Sequence, residues 1–329
     1  MAIHIQRRDF ITGLSSTAAW PLAARAQQAA GRIWRLGVLS PARHPDPLVE
    51  AMRQRLRELG YIEGRNIVFE YRWAEGKLDR LTDLARELVG LKVDVITTLS
   101  TPAALAARNA TTTIPIVFTA VGDPVGSGVV PSLARPGGNA TGTSLLATEL
   151  SAKRLEVLKE IVPDISRVAM FWNDTNPSMV LRAQETQGAA TKLGVIIRSI
   201  GVHDLIAFDA AFAAIETSRA DALLTLVDPF TLEHRKRIVG FAAQRRLPAI
   251  YEAREFVESG GLISYGPSLV AGQRRAAEYV DKIFKGAKPA DLPVEQPVKF
   301  ELLINVKTAK ELNLTIPPSI MLRADELIE

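Results

Sequence analysis

The feature of this sequence that most constrains its fold is a repeated alternation between short β-branched apolar runs and longer amphipathic segments. The run IWRLGVLS from Ile33 has the composition of a buried strand, and PLVEAMRQRLRELG, which ends at Gly60, has helical spacing. This order recurs to about residue 147 and starts again at SAKRLEVLKEIVP. Strands that alternate with helices pair in parallel and are covered by helices, so the pattern predicts an α/β protein with a parallel sheet in each of two halves.

The second half carries several specific expectations. Ser151 is expected to cap the first helix, one long helix is expected over 229–247, and the stretch 253–261 is expected to be irregular. The tail 287–297 contains three prolines and is predicted to be a connecting crossover. A last strand and helix are predicted over 300–313.

A hydroxyl, carboxylate or amide side chain followed by proline stands where several predicted strands end. Such a pair is typical of a helix N-terminus, whose free N–H groups and partial positive charge attract anions. In open α/β sheets ligands bind beyond the carboxyl ends of the strands, although plain helix capping explains the same residues. These pairs are Thr101-Pro102, Asp123-Pro124, Asn176-Pro177 and Asp228-Pro229.

The N-terminus has the pattern of an export signal. Arg7 and Arg8 precede the mildly apolar run 10–22, and Ala24-Arg25-Ala26 is a small-x-small cleavage motif. The paired arginines followed by Asp9-Phe10-Ile11 favour the twin-arginine type, with an amphipathic helix as the alternative. Cleavage near Ala26 would lower the net charge from +4 to +2. The chain contains no cysteine, so it has no disulfide, thiolate metal site or lipid-modified cysteine.

Several classes of function lack their motifs. No window of about 18 or more apolar residues occurs, so no membrane-spanning helix is expected. GDPVGSG from Gly122 lacks the ending and the spacing of a phosphate-binding loop, and no GxSxG or HExxH pattern is present. The near balance of charge does not favour nucleic acid. We therefore expect no catalytic set, metal or cofactor.

Five segments resemble the substrate-binding proteins of ABC transporters, in particular the branch related to tryptophan and tyrosine uptake systems. The resemblance spans nearly the whole chain. It is carried by the paired arginines with WPLAARAQ, GYIEGRNIVFEYRWAEG, TPAALAARNATTTIPIVFTAVGDPVGSGVV, LARPGGNATG and ISYGPS.

The resemblance implies a type I periplasmic binding fold. Two doubly wound, Rossmann-like parallel-sheet lobes would be joined by a hinge and would close on a ligand in the cleft between them. After a signal peptide over 1–26, lobe 1 would comprise 33–147 with 266–290 returning to it. Lobe 2 would comprise 148–265 with 292–329.

The resemblance also implies a set of ligand-binding residues, all near predicted strand ends. A zwitterionic amino acid would place its carboxylate at the Ser100-Thr101 helix N-terminus and its ammonium near Asp123 or Asp228, unless these aspartates only cap their own helices. Tyr251 either stacks on a ring of the ligand or belongs to the core. The full set is Ser40, Ser100, Thr101, Asp123, Asn173, Thr175, Asp228 and Tyr251.

Three classes of protein are compatible with such a fold. A periplasmic receptor would capture a small polar solute, an amino acid or related compound, and deliver it as a monomer to the permease subunits of an ABC importer. A repressor would need an N-terminal helix-turn-helix where the signal peptide stands. An exported α/β enzyme such as a hydrolase would need a nucleophile and a base. The sequence favours the receptor.

Overall fold

The computed structural model describes residues 32–145 and 148–329, so the predicted signal peptide lies outside the described residues. The strands, in chain order, are β1 (Trp34–Ser40), β2 (Ile67–Trp73), β3 (Val95–Leu99), β4 (Ile116–Val121), β5 (Ala140–Ser144), β6 (Arg167–Trp172), β7 (Ile196–Gly201), β8 (Ala222–Thr225), β9 (Ala249–Tyr251), β10 (Ile263–Pro267), β11 (Phe300–Asn305) and β12 (Glu326–Ile328).

The helices connect these strands and cover their faces. In chain order they are α1 (Pro47–Glu58), α2 (Leu81–Gly90), α3 (Thr101–Ala110), α4 (Thr148–Ile161), α5 (Pro177–Lys192), α6 (Ala207–Thr217), α7 (Pro229–Glu233), α8 (Arg235–Gln244), α9 (Arg254–Glu258), α10 (Leu269–Phe284), α11 (Val306–Glu311) and α12 (Pro318–Met321). Short 3₁₀ helices cover Leu78–Arg80 and Pro289–Asp291.

The strands form two separate sheets. The first has the order β2-β1-β3-β4-β5 and is parallel throughout, as predicted. The second has the order β12-β11-β10-β9-β8-β6-β7 and contains one antiparallel pair, β10 with β11. The expected parallel sheets are therefore confirmed, with this single exception. Between β10 and β11 the chain passes through α10, which packs on the first sheet, and the proline-rich crossover, so the parallel order of a strand-helix-strand unit does not apply to this pair.

Each sheet is covered on both faces by helices. On the first sheet, α1 and α10 bury one apolar face around Met52 and Tyr279, and α2 and α3 bury the other around Leu88 and Phe118. On the second sheet, α4 and α5 cover one face, and α6 and α8 cover the other. In both sheets the carboxyl ends of the parallel strands are followed by the junctions that carry the predicted polar residues.

Three local expectations for the second half are wrong. Ser151 does not cap a helix, because α4 extends back to Thr148 and buries Leu150. The helix expected over 229–247 is divided at His234 into α7 and α8. The stretch expected to be irregular contains α9. Among the described residues, no helix is both long and apolar enough to cross a membrane.

Candidate functional site

Three of the four proline-containing junctions begin a helix. Helices α3, α5 and α7 start with proline in their first turn. Asp123-Pro124 instead begins a turn, in which the Asp123 carboxylate accepts hydrogen bonds from the backbone N–H groups of Val125 at 3.1 Å and Gly126 at 2.8 Å. That carboxylate is therefore partly engaged by its own turn.

Ser100, at the N-terminus of α3, has an unusual backbone and an unsatisfied hydroxyl. Its φ of 94° and ψ of 160° lie in a region that glycine alone adopts readily. The side chain is buried, and its Oγ has no hydrogen-bond partner in the described part of the chain. A strained residue with a buried, unpaired hydroxyl at a helix N-terminus is the arrangement expected where a ligand supplies the missing partner.

Thr101 links α3 to the neighbouring strand end. Its Oγ1 accepts a hydrogen bond from the backbone N–H of Gly122 at 3.3 Å, and the residue is almost fully buried. Because a hydroxyl both accepts and donates, the Thr101 proton stays available for a further acceptor. The ends of β3 and β4 thus meet as the sequence predicts.

The second lobe contributes a buried carboxylate with amide partners. Asp228 accepts hydrogen bonds from the Asn173 Nδ2 at 2.6 Å and from the Asn176 Nδ2 at 3.4 Å. Asp228 also forms a capping box with Thr231 at the start of α7. Burial raises the pKa of the Asp228 carboxyl above its usual value, even though these hydrogen bonds oppose the shift. Thr175 is exposed and donates its hydroxyl to the Asn173 Oδ1 at 2.8 Å.

The two halves of the chain touch beside these polar side chains. A Cβ added to Gly122 would lie 3.1 Å from Cβ of Ser178 on α5, and one added to Gly126 would lie 3.1 Å from Leu181. An ion pair joins Arg43, after β1, to Glu233 at the end of α7. Leu48 and Leu99 belong to the same buried cluster as Phe230. The cleft between the sheets is therefore closed.

Two predicted residues lie apart from this group of side chains. Ser40 is buried at the end of β1, 3.4 Å from the Asp46 carboxylate that caps α1. Tyr251 packs its ring on Phe256 at a centroid distance of 4.7 Å, inside the core of the second lobe. The ring of Tyr251 therefore lies in the core, which was one of the two alternatives left by the sequence.

Sequence reasoning missed a buried charged cluster beside these residues. Arg154 on α4 and Arg182 on α5 both contact Glu252, which follows β9. All three side chains are almost completely buried. The helical spacing could have revealed Arg182, because it lies on the buried face of α5 together with Met179 and other buried residues. Within the described residues no group of histidine, aspartate and glutamate side chains could hold a metal ion.

Two α/β lobes with polar strand ends on both sides of a closed cleft are the arrangement of a two-lobed ligand-binding protein. Residues 36–328 match the family model described as ABC transporter substrate binding protein. The chain belongs to this family. The Tyrosine-binding protein of Clostridioides difficile (strain R20291) is 28% identical over 282 residues, 85% of this chain and 81% of the relative.

Two solved structures report on the arrangement of the lobes. The ABC domain from Streptococcus pneumonia in complex with L-Trp is 26% identical, with a TM-score of 0.83 over 90% of this chain and 100% of that one. The ligand-free, open structure of a substrate binding protein with adhesive properties from Clostridium difficile is 25% identical, with a TM-score of 0.65 over 90% of this chain and 99% of that one. At nearly equal identity the better match is the complex, in agreement with the closed cleft.

These findings confirm the predicted class of protein. The chain is a substrate-binding protein that captures a small solute for an ABC importer, and it is not an enzyme. Its partners are accordingly a small-molecule ligand and an ABC transporter. The alternative of an exported hydrolase finds no support in the comparisons.

Proposed function

We propose that this protein captures an aromatic amino acid in the cleft between its two lobes. The proposal is supported by two similar proteins, one described as a Tyrosine-binding protein and one solved with L-Trp. It is also supported by the charge pattern of the cleft, where a buried carboxylate lies on one side and a helix N-terminus lies on the other. These are the partners that the ammonium and the carboxylate of a free amino acid require.

The proposed lobes follow the sheets. Lobe 1 comprises 33–147 with 266–290, and lobe 2 comprises 148–265 with 292–329. The packing of α10 against α1 supports the return of the chain to lobe 1. The pairing of β11 with β10, and of β12 with β11, supports the return of the tail to lobe 2. Closure by a hinge follows, because the chain crosses between the sheets at separate places that can bend together.

In the proposed complex Asp228 holds the ammonium, with Asn173, Asn176 and Thr175 positioning that carboxylate. Ser100 and Thr101 hold the ligand carboxylate at the N-terminus of α3. The single observation that carries this assignment is the buried Ser100 hydroxyl, which has no partner among the described residues and sits on a strained backbone. Ser40 and Asp123 shape the rim of lobe 1, and Tyr251 supports the core beneath the site.

The proposed localisation of the protein is the periplasm. The twin-arginine motif at Arg7-Arg8 and the motif before Gln27 support export followed by cleavage near Ala26. The proposed partners are the permease subunits at the inner membrane, and the protein acts as a monomer. Replacing Arg7 and Arg8 by lysine together should leave the chain uncleaved in the cytoplasm, and normal export of this double variant would refute the twin-arginine route.

Isothermal titration of the purified protein with L-tyrosine, L-tryptophan and L-phenylalanine tests the ligand class, with adenosine and ribose as comparison ligands. We expect saturable binding of at least one aromatic amino acid. The same ligand should raise the melting temperature of the protein, because it binds only the native state. Binding of a nucleoside or sugar without any response to the amino acids would overturn the proposal.

A further inference from the structure

Arg154, Arg182 and Glu252 form a buried cluster, called here the arginine cluster. The Arg154 Nη1 donates to the Glu252 Oε1 at 2.6 Å, and the Arg182 Nη2 donates to the Glu252 Oε2. The exposed fractions are 1% for Arg154, 3% for Arg182 and 1% for Glu252. Buried charges of this kind are expensive to desolvate, so each needs a partner for its charge and its hydrogen-bonding groups.

The cluster has more positive than negative charge. Two guanidinium groups share one carboxylate, and the other carboxylates that influence Arg182 are Glu185 and Asp228. Burial lowers the pKa of Arg154 to about 9. Burial, with the neighbouring Arg154 charge, also lowers the pKa of Arg182 to about 9. An additional anion beside the two arginines would offset this penalty.

Each guanidinium also has one nitrogen without a partner. The Arg154 Nε donates to the carbonyl oxygen of Tyr265 at 2.7 Å, and the Arg182 Nη1 donates to the carbonyl oxygen of Val227 at 3.2 Å. The Arg154 Nη2 and the Arg182 Nε are buried and have no acceptor within the residues that the structure describes. Two unpaired donors on neighbouring cations form a site for an acceptor that carries negative charge.

The arginine cluster faces lobe 1 across the closed cleft. Both arginines and Glu252 lie beside Leu145, which follows β5 of the first sheet, across a gap that is too narrow in this closed form to admit a water molecule. A Cβ on Gly122 would lie 3.5 Å from the Arg182 Cδ, and the N–H of Gly122 donates to Thr101. A single glycine therefore separates Arg182 from the N-terminus of α3.

The cluster is also adjacent to the proposed ammonium site. The backbone N–H of Val227 donates to the Glu252 Oε2 at 2.7 Å, and Val227 immediately precedes Asp228. The cation-binding carboxylate and the two arginines are consequently neighbours on the inner surface of lobe 2. This arrangement matches an ammonium and a carboxylate that are bonded to the same carbon, as in an α-amino acid.

We propose that Arg154 and Arg182 are the lobe 2 half of a carboxylate-binding subsite, which holds the ligand carboxylate against the N-terminus of α3. This inference rests on the proposed function and adds to it residues that the sequence did not indicate. A carboxylate has two oxygens, each with two lone pairs, so it accepts from both lobes at once. The ligand then stabilises the closed form directly, because only that form brings both sets of donors to the carboxylate.

Three probes separate the two charged groups of the ligand. L-tyrosine carries both, L-tyrosinamide lacks the carboxylate, and 3-(4-hydroxyphenyl)propionate lacks the ammonium. Isothermal titration of the full-length protein should give binding of L-tyrosine and weaker binding of the propionate. L-tyrosinamide should bind at least about tenfold more weakly than L-tyrosine, the change expected when hydrogen bonds to a charged group are lost.

Variants then assign the carboxylate to the cluster. Arg154→Lys and Arg182→Lys keep the charge but remove the planar donors, and each should weaken the binding of L-tyrosine and the propionate about tenfold or more. Arg198→Lys is the matched control, because Arg198 is exposed on β7 of the same lobe. Circular dichroism and the melting temperature without ligand establish that each variant is folded.

Glu252→Gln should strengthen the response to an anionic ligand, whereas the arginine variants should weaken it. It removes the carboxylate that pairs directly with both arginines, so the melting temperature of the free protein should fall while the increase caused by the propionate should become larger. A purely structural cluster predicts that this increase is unchanged or smaller. The sign of the change therefore separates the two explanations, even where an arginine variant does not fold.

The outcomes distinguish the inference from the proposed function. If L-tyrosine binds equally well to wild type and to both lysine variants, and Glu252→Gln does not enlarge the propionate response, the subsite is refuted while the ligand class stands. If the propionate stabilises only proteins with both arginines and no amino acid binds, the subsite stands and the ligand class fails. If neither type of probe binds, both are refuted.

Discussion

The geometry of Ser100 is the strongest indication of a bound ligand among the residues of the site. The conformation at φ 94° and ψ 160° costs about 1–3 kcal/mol for a residue other than glycine. Ser100→Gly relieves this strain and removes the hydroxyl. We expect the free energy of unfolding to be unchanged or to rise, and the affinity for L-tyrosine to fall about tenfold or more, as measured by chemical denaturation and isothermal titration.

Lys92→Gly is the control for this change. Lys92 is an exposed residue that also has a positive φ, at 52°, and it lies in the turn before β3, at the opposite end of that strand from Ser100. It should show a similar effect on stability without a change in affinity. Full affinity in Ser100→Gly would mean that the Ser100 hydroxyl does not contact the ligand.

Asp228 makes the binding of an amino acid depend on pH. Its raised pKa favours the protonated form in the folded protein, so its contribution to the free energy of unfolding declines as the pH rises between the ordinary and the raised pKa. Only the ionised carboxylate pairs with an ammonium. Affinity for L-tyrosine should therefore fall on acidification through the raised pKa, and Asp228→Asn should bind weakly at every pH.

Two comparisons isolate the Asp228 carboxyl in that titration. Burial lowers the pKa of His234, whose charge interacts with that of Asp228, so the series is repeated in a His234→Gln background. The titration is also repeated with Asp228→Asn, in which the loss of L-tyrosine affinity over this pH range should disappear. A pH profile for L-tyrosine that follows His234 instead would remove Asp228 from the ammonium site.

The residues of the site differ in how well a sequence reveals them. Asn173 and Asp228 follow buried strands, so parallel pairing alone predicts that they meet, and their side chains are 2.6 Å apart. Tyr251 ends a strand of three residues, too short for its alternation to indicate which face carries the ring. Arg154 and Arg182 become informative only once the buried faces of α4 and α5 are known, because an isolated arginine is usually solvated.

At the level of elements, the predictions succeed where a local signal marks a boundary. Helix α3 covers Thr101–Ala110 as expected, because a hydroxyl and a proline mark its start. Helix α9 has five residues, less than the length over which a helical period is recognisable. Strand β12 is defined by its pairing with β11, a contact between distant parts of the chain that no local pattern contains.

A variant at the N-terminus of α5 distinguishes helix capping from ligand binding. Asn176 caps α5 by accepting from the backbone N–H of Ser178 and also donates to Asp228. Asn176→Ala should lower the free energy of unfolding by about 1 kcal/mol and should also weaken the binding of L-tyrosine. Thermal denaturation and titration of the same preparation measure both effects.

Ser268→Ala is the paired control at this scale. Ser268 caps α10 by accepting from the backbone N–H of Ala271, on a helix that packs against α1. Its loss should cost a similar amount of stability and leave the affinity unchanged. Equal effects of the two variants on binding would show that capping alone explains Asn176.

At the scale of the whole molecule, the two sheets explain how one chain forms two lobes that close. Each sheet has its own apolar clusters, and the strand ends that face each other are polar and small. Gly122 lies in the contact between the lobes, packed on Ser178 and on the stem of Arg182. The closed form therefore depends on the absence of a side chain at this position.

Gly122→Val tests closure at a residue whose own side chain is not a proposed ligand contact. A Cβ at Gly122 would lie 3.1 Å from the Ser178 Cβ and Oγ, so a valine would destabilise the closed form and leave the open form free of this clash. With L-tyrosine, the radius of gyration from small-angle scattering should decrease in wild type and stay nearly constant in Gly122→Val, with weaker binding. Gly188→Ala, on the same helix α5 and with open space around its Cβ, should close as wild type does. Normal closure of Gly122→Val would mean that the lobes do not meet at Gly122 in the liganded state, and the carboxylate would then lie between surfaces other than α3 and Arg182.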